Sequence, residues 1–324
     1  MVSMQDIADR LKVSRSTVSL VLSGKAGNKV SPAVQKEVIR VAKELRYHVN
    51  DLARSLRTGE SKIISVIVTD ISNDFFGRLT FHIQEEAKKA GYLVLTVNSN
   101  EDASDFRETI GMLMSKKVDG IIVVPPPGGE NSISEIIERG VPVVTVDRES
   151  AGLKVDYVGV DNYGASFQAV KGLIDDGFRN IAVVTLDLDI SPLNARIGAY
   201  EDAMREAGLE DMIMEQRIRF LHEDAEIESM IRRFKDCDAV YFTSQRVFIR
   251  AMSFATHSGL AFRKDMCLLC FDDISPYKSL DFDVRYVEQP VGEIARKAFD
   301  LLIKKVKGEE SAAGRYLFQA RCVV

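Results

Sequence analysis

From Lys62 onward, short apolar runs alternate with amphipathic stretches, and this alternation restricts the possible folds more than any other feature of the chain. The runs are Ile63–Thr69, Tyr92–Asn98, Gly120–Val124, Val141–Val146, Asn180–Leu186, Ala239–Thr243 and Cys267–Phe271. Several are apolar at nearly every position, as strands of a parallel sheet covered on both faces must be. Between them, Leu79–Ala90, Phe106–Lys116 and Phe167–Asp175 carry helical spacing. Strands alternating with helices predict an α/β parallel sheet. Roughly ten strands over ~260 residues are generous for one sheet. Two doubly wound α/β lobes are therefore expected, with the chain crossing between them near 160–163 and again near 287–291. No low-complexity segment and no short-period repeat is visible.

The first 62 residues break that rhythm. Met4 to Leu11 places Ile7, Ala8 and Leu11 at helical spacing; Ser14 can cap a second helix, Arg15 to Leu22, with Val18, Val21 and Leu22 on its apolar side. Ser23 to Lys29 is a loop by composition. Ser31-Pro32 is a capping residue followed by proline at the first helical position, and Val34, Val38, Val41 and Leu45 form the buried stripe of a third helix. The formal net charge of −5 opposes a nucleic-acid partner only as an average. Residues 1–62 hold 12 Lys and Arg against 6 Asp and Glu, a net of +6, whereas the rest holds 31 against 42, a net of −11. Phosphate binding needs local positive potential, which this small basic head supplies.

Two short helices joined by a tight turn, followed by a third, form the helix-turn-helix plan, whose second helix enters the major groove. Ala8 is small where the helices would cross, and Val13 and Val18 fill the gap between them. Ser14, Arg15, Ser16, Thr17 and Ser19 then stand at the start of the recognition helix, where side chains and backbone N–H groups meet phosphates and base edges. A generic three-helix surface module is the plainer alternative.

At this point the chain resembles the lac/purine-repressor (LacI-type) family of bacterial transcription regulators over essentially its whole length. The resemblance rests on Val13-Ser14-x-x-Thr17-Val18-Ser19, Tyr47-x-x-Asn50, Leu52-Ala53-Arg54-Ser55-Leu56-Arg57-Thr58-Gly59 and Asp70-Ile71-Ser72-Asn73-x-Phe75-Phe76, in that order. It implies a helix-turn-helix domain over 1–49, a hinge helix and linker over 50–61, and a two-lobed effector-binding and dimerisation domain over 62–324. That body is expected to have the type I periplasmic-binding-protein fold. The hinge segment implied by the family folds in the operator's minor groove, with Leu56 inserted between base pairs and Asn50, Arg54, Ser55 and Arg57 alongside. A plain basic linker is the alternative. Lys29 and Tyr47 complete the expected DNA-contacting set. Two residues depart from the family pattern. Lys12 stands at the turn position usually held by glycine, and costs roughly 1 kcal/mol if that position needs positive φ. Leu20 stands where relatives commonly carry a base-reading arginine or histidine; leucine can pack on a thymine methyl but cannot pair with guanine.

Ligands of open α/β sheets bind beyond the strands' carboxyl ends. The candidates on the first lobe are Asp70, Asn73, Phe75 and Phe76 after the first strand, and Asp147 and Arg148 after Val141–Val146. On the second lobe, Arg196 in Arg196-Ile197-Gly198-Ala199-Tyr200 resembles the family's effector-binding arginine. Asp272 resembles its hydroxyl-accepting aspartate, and Gln289 lies at a crossover. Alternatives stay open: Asp70 and Asp147 can cap following helices, Phe75 and Phe76 can pack a hinge or core, Arg196 can serve a structural ion pair, and Asp272 a cap or a lobe-closing acceptor. Thr243-Ser244-Gln245 replaces the Asn-Asp pair of many relatives, and Arg285-Tyr286-Val287 their Thr-Thr-Ile, so the resemblance carries over no particular sugar or purine.

An enzyme on a doubly wound fold, or an exported solute receptor with the same body, are the rival classes. No GxSxG, HExxH or glycine-rich dinucleotide turn occurs, and Pro125-Pro126-Pro127-Gly128-Gly129 lacks phosphate-loop spacing. The histidines His48, His82, His222 and His257 are scattered. Cys267 and Cys270 lie on a strand at i and i+3, on opposite faces, and suit a core better than a metal or redox pair. No catalytic residue, metal or cofactor is expected. The start lacks a secretory signal, and no run approaches the ~18 apolar residues of a membrane helix. The reading is a cytoplasmic homodimer that binds a pseudo-palindromic operator under control of a small-molecule effector, a sugar or related metabolite, with no membrane partner.

Overall fold

The computed structural model describes residues 2–47, 59–219, 223–260, 262–279, 282–309 and 312–324. The chain divides into two compact units, Met1–Ser61 and Lys62–Val324.

The first unit holds α1 (Met4–Leu11), α2 (Arg15–Leu22) and α3 (Pro32–Glu44). Each start is set by a serine. Ser3 and Asp6 form a reciprocal capping box, Ser14 Oγ accepts from Thr17 N at 3.0 Å, and Ser31 Oγ accepts from Val34 N. Lys12 ends α1 at φ 52°, ψ 41°, the left-handed conformation that favours glycine. Its strain is accepted because it turns the chain within three residues from α1 into α2. Ile7, Ala8, Val18, Val38 and Val41 meet in a common core, with Val13 and Tyr47 packed at its edge.

The second unit contains two six-stranded sheets with the same strand order. One runs β11 (Arg315–Phe318), β5 (Asp156–Val160), β4 (Val143–Val146), β3 (Gly120–Val123), β1 (Ile63–Val68), β2 (Leu93–Asn98). The other runs β12 (Arg321–Val323), β10 (Asp283–Glu288), β9 (Cys267–Phe271), β8 (Ala239–Phe242), β6 (Ile181–Leu186), β7 (Met214–Ile218). Pairing is parallel throughout, except that β12 runs antiparallel to β10. The body is thus two copies of one doubly wound unit, a repeat carried by order and not by recognisable sequence.

Helices cover both faces. The central strands are buried on both sides, which explains their unbroken apolar composition. The strands that the apolar-run criterion passed over lie elsewhere or alternate: β7 is the edge segment Met-Glu-Gln-Arg-Ile, and β10 is Asp-Val-Arg-Tyr-Val-Glu. Helix starts also precede the apolar pattern. α4 (Asp74–Lys89) begins behind the Asn73 cap, α5 (Ala103–Ser115) behind Asp102, and α7 (Asn162–Asp175) behind Asp161. In each case a polar cap and first turn come before the first buried residues.

The chain passes between lobes at three places. After β5 it enters α7, which packs on α8 (Ser191–Glu206) in the second lobe. After β10 it returns through α11 (Val291–Val306), which packs on α4 and on β3–β5. Between Phe318 and Arg321 it crosses once more, a link additional to the two expected from sequence. Cys267 and Cys270 sit in separate cores on opposite faces of β9, their thiols buried and their pKa values pushed up by that burial.

Candidate functional site

On the head, Arg15 and Ser16 are exposed at the first turn of α2, and Thr17, Ser19 and Leu20 are half-buried along it. Ser14 is also exposed, but its hydroxyl is engaged by Thr17 N, Ser16 Oγ and Thr17 Oγ1. Lys29 is exposed at the end of the 3₁₀ turn Gly27–Lys29, whereas Tyr47 packs against the head's core. The basic, N–H-presenting helix start is what anion recognition requires. Asn50, Arg54, Ser55, Leu56 and Arg57 lie outside the described residues.

In the body, the strands of both sheets end at one cleft, and all nine effector candidates line it. Asp70 follows β1, Asn73, Phe75 and Phe76 open α4, and Asp147 and Arg148 follow β4. From the other lobe, Arg196 projects from the second turn of α8, Asp272 follows β9 and Gln289 follows β10. The fold brings the nine together because parallel strands all deliver their carboxyl ends to the same edge.

Their local engagements differ. Asn73 caps α4, its Oδ1 accepting from Phe75 N at 2.9 Å, so the capping role considered for Asp70 belongs to Asn73. Asp70 instead accepts from Ser72 N and Ser72 Oγ, and reaches across the cleft to Arg246 at 2.9 Å. Arg78 and Asp273 make a second ion pair between lobes at 3.2 Å. Phe75 and Phe76 meet edge to face at 5.2 Å and serve both roles considered for them, since they join the core and line the cleft. Arg148 is held bidentately by Glu101 at 2.6 and 2.7 Å and also donates to Pro125 O. Its guanidinium is already matched by a carboxylate of its own lobe. Arg196 has no such partner: Nε donates to Asn162 Oδ1, a terminal nitrogen donates to Thr243 O, and the guanidinium carbon lies 3.5 Å from the Phe271 ring centroid. The structural ion pair considered for it is absent among the described residues. Gln289 Nε2 donates to Asp272 Oδ1 at 2.5 Å, and Gln245 N at the start of α10 (Gln245–Ser258) approaches Asp272 Oδ2 at 3.4 Å.

Asp147 and Asp272 occupy equivalent places in the two lobes. Both have left-handed backbone, φ 66° and 90°, and both donate N–H to the next strand, to Val158 O and Val287 O at 3.0 Å. No helix follows Asp147, so it caps nothing. Burial raises both carboxyls above their ordinary value, Asp147 to about 6, although Arg148 and Arg196 oppose the shift at Asp147 and Arg196 opposes it at Asp272. Acids shifted by burial together with specific charge partners in a cleft are candidates for a functional site.

Sequence reasoning passed over several lining residues: Thr69, Glu101, Ser244, Arg246 and the apolar side chains of Leu186, Leu188, Ile190, Pro192 and Leu193. Glu101 follows β2 and Ser244 follows β8, so the strand-end rule applied to every strand would have found both. Arg246 is one turn further along a helix, and only the geometry connects it to Asp70. The group of three or more His, Cys, Asp or Glu side chains that a metal site needs does not occur among the described residues. No helix among them is long and apolar enough to cross a membrane.

This arrangement has relatives. The lacI family of bacterial regulatory proteins matches residues 3–50, and the periplasmic binding protein domain matches residues 64–310. The chain is 27% identical to the ribose operon repressor of Haemophilus influenzae, covering 100% of this chain and 98% of that protein. It is 28% identical to the transcriptional repressor CytR of Escherichia coli K12, covering 99% and 95%. The lac repressor dimer bound to operator and the anti-inducer ONPF superposes with a TM-score of 0.83 at 18% identity, covering 100% and 98%. The described head, the two-lobed body and these full-length matches lead to one statement of family: the chain is a LacI-type transcription regulator, a helix-turn-helix unit joined to a periplasmic-binding-protein body.

Proposed function

We propose that the protein is a cytoplasmic, homodimeric repressor whose affinity for a pseudo-palindromic operator is set by a small molecule held between the lobes, a sugar or a related metabolite. The observation that carries this reading is the convergence of both lobes' strand ends on one cleft containing buried, pKa-shifted carboxylates and an unmatched guanidinium. Full-length similarity to repressors supports a regulatory rather than a catalytic role. Two copies related by a two-fold axis would present two recognition helices to the half-sites. The effector would change the relation between lobes, and with it the spacing of the two 50–58 segments on DNA. Linkage makes the coupling reciprocal: whatever factor the effector applies to operator affinity, the operator applies to effector affinity.

The test is selection of duplexes by the full chain, followed by binding across a salt series. Enrichment of a palindromic site with steeply salt-dependent affinity is expected; no enriched duplex at any salt would overturn the reading. Leu56→Ala should weaken operator binding and reduce bending while leaving effector binding unchanged.

A further inference from the structure

We infer that the cleft takes an uncharged polyhydroxylated ligand, a free sugar or glycoside, in preference to a phosphorylated or carboxylated one, with Thr69, Asp147, Arg196 and Ser244 as its polar contacts. This rests on the reading of the cleft as the effector site and names the class of effector.

The argument is the pairing of charges along the cleft wall. Among the described residues, four carboxylates line it, on Asp70, Glu101, Asp147 and Asp272, against three guanidiniums, on Arg148, Arg196 and Arg246. Arg148 gives both terminal nitrogens to Glu101, its Nε, buried without a hydrogen-bond partner, faces Asp147 Oδ2 at 3.8 Å, and Arg246 is engaged by Asp70. A phosphate seeking either arginine would have to displace its carboxylate and leave that carboxylate facing a second anion. Arg196 is the remaining cation, and both Asp147 and Asp272 already share its field. An anionic group there would be the third negative charge around one guanidinium. Like charges brought together in a site with little water cost several kcal/mol and serve to reject wrong partners.

The uncommitted polar groups suit hydroxyls instead. The Asp147 carboxylate accepts no hydrogen bond from any described residue, and its nearest cation contact is Arg148 Nε at 3.8 Å. Thr69 Oγ1 and Ser244 Oγ are buried without a hydrogen-bond partner, in residues 1% and 8% exposed. Arg196 retains guanidinium N–H groups beyond those given to Asn162 and Thr243. With Arg148 Nε these make one strong acceptor, charged donors on two arginines and two hydroxyls that do either, drawn from both lobes, which is the mixed set that a polyol satisfies. Phe75 and Phe76 on one side and Leu188, Ile190 and Leu193 on the other supply apolar surface for the C–H faces of a sugar ring.

The experiment is calorimetric titration of the full chain with matched pairs: D-ribose and ribose 5-phosphate, D-fructose and fructose 1-phosphate, D-glucose and gluconate, with cellobiose as a larger neutral probe. The tightest binder should be neutral, and its charged counterpart weaker by about tenfold or more. A charged member binding as tightly as its neutral partner would overturn the inference, as would the absence of binding by every neutral probe. Glu101→Gln, which uncouples Arg148 from its carboxylate, should narrow the gap between partners; Asp70→Asn, which uncouples Arg246, gives a second measure of the same effect. An unchanged gap in both folded variants counts against the charge argument. The outcomes separate from those of the regulatory reading. A chain that binds a phosphosugar and then alters operator affinity keeps regulation and loses this inference. One that binds a free sugar with no effect on the operator does the reverse.

Discussion

Asp147→Asn removes a charge that the fold holds in an unfavourable place. The Asp147 carboxyl rises from 3.8 to about 6, with burial the largest cause and the Asp272 and Glu101 charges adding to it against Arg148 and Arg196. The unfolded chain releases this proton near 3.8 and the folded chain near 6, so ionisation opposes folding. The penalty is absent below 3.8, grows between 3.8 and 6, and is complete above 6. At ~1.4 kcal/mol for each pH unit between the two values, it amounts to about 3 kcal/mol at pH 8 and about 1 kcal/mol at pH 4.5. Asparagine tolerates the φ of 66° at this position at least as well as aspartate, so backbone strain should not offset the gain. Denaturant unfolding of the body, followed in the two chains at pH 4.5 and pH 8, should show the variant more stable at both, with the larger gain at pH 8. The same variant should bind its effector about 10- to 100-fold more weakly, because a hydroxyl donating to a carboxylate is worth ~1.5–3 kcal/mol. Equal stability at pH 8, or a gain that does not grow with pH, would refute the assignment of a buried, uncompensated charge.

Three further perturbations probe other parts of the structure. Arg196→Ala should abolish the effector's influence on operator binding while leaving effector-free DNA affinity within about twofold, as read by anisotropy titration; an intact response would remove Arg196 from the site. Lys12→Gly should raise the head's stability by about 0.5–1 kcal/mol, measured by thermal unfolding, because φ 52° strains lysine and not glycine. Lys305→Met should cost about 3 kcal/mol in denaturant unfolding, since Asp156 is fully buried and Lys305 Nζ lies 2.8 Å from it, so the change leaves an unmatched buried carboxylate beneath β11.

Residue chemistry that acts over a few positions was legible before any fold was known. Ser14 and Ser31 as caps and Cys267 and Cys270 on opposite faces of one strand follow from local geometry, and the structure has each. Central strands were equally plain, because burial on both faces demands unbroken apolar runs. The edge strand Met214–Ile218 and the helix starts behind Asn73, Asp102 and Asp161 were not, because an edge strand needs one apolar face at most and a cap is polar by function. The rule that ligands gather at strand ends was enough to choose nine residues of one cleft from two lobes.

Local elements, the change of rhythm at Lys62 and the strand ends that line the cleft can all be read from residue order alone. Periodicity, capping and charge composition act through near neighbours and survive translation into a list of residues. Which charges face which is set by the folded chain: Glu101 pairs across 47 residues with Arg148, and Asp70 across 176 with Arg246, while Arg196 acts on the carboxyls of both Asp147 and Asp272. Those pairings decide what chemistry the cleft leaves open, and they depend on distances through space for which separation along the chain is no guide.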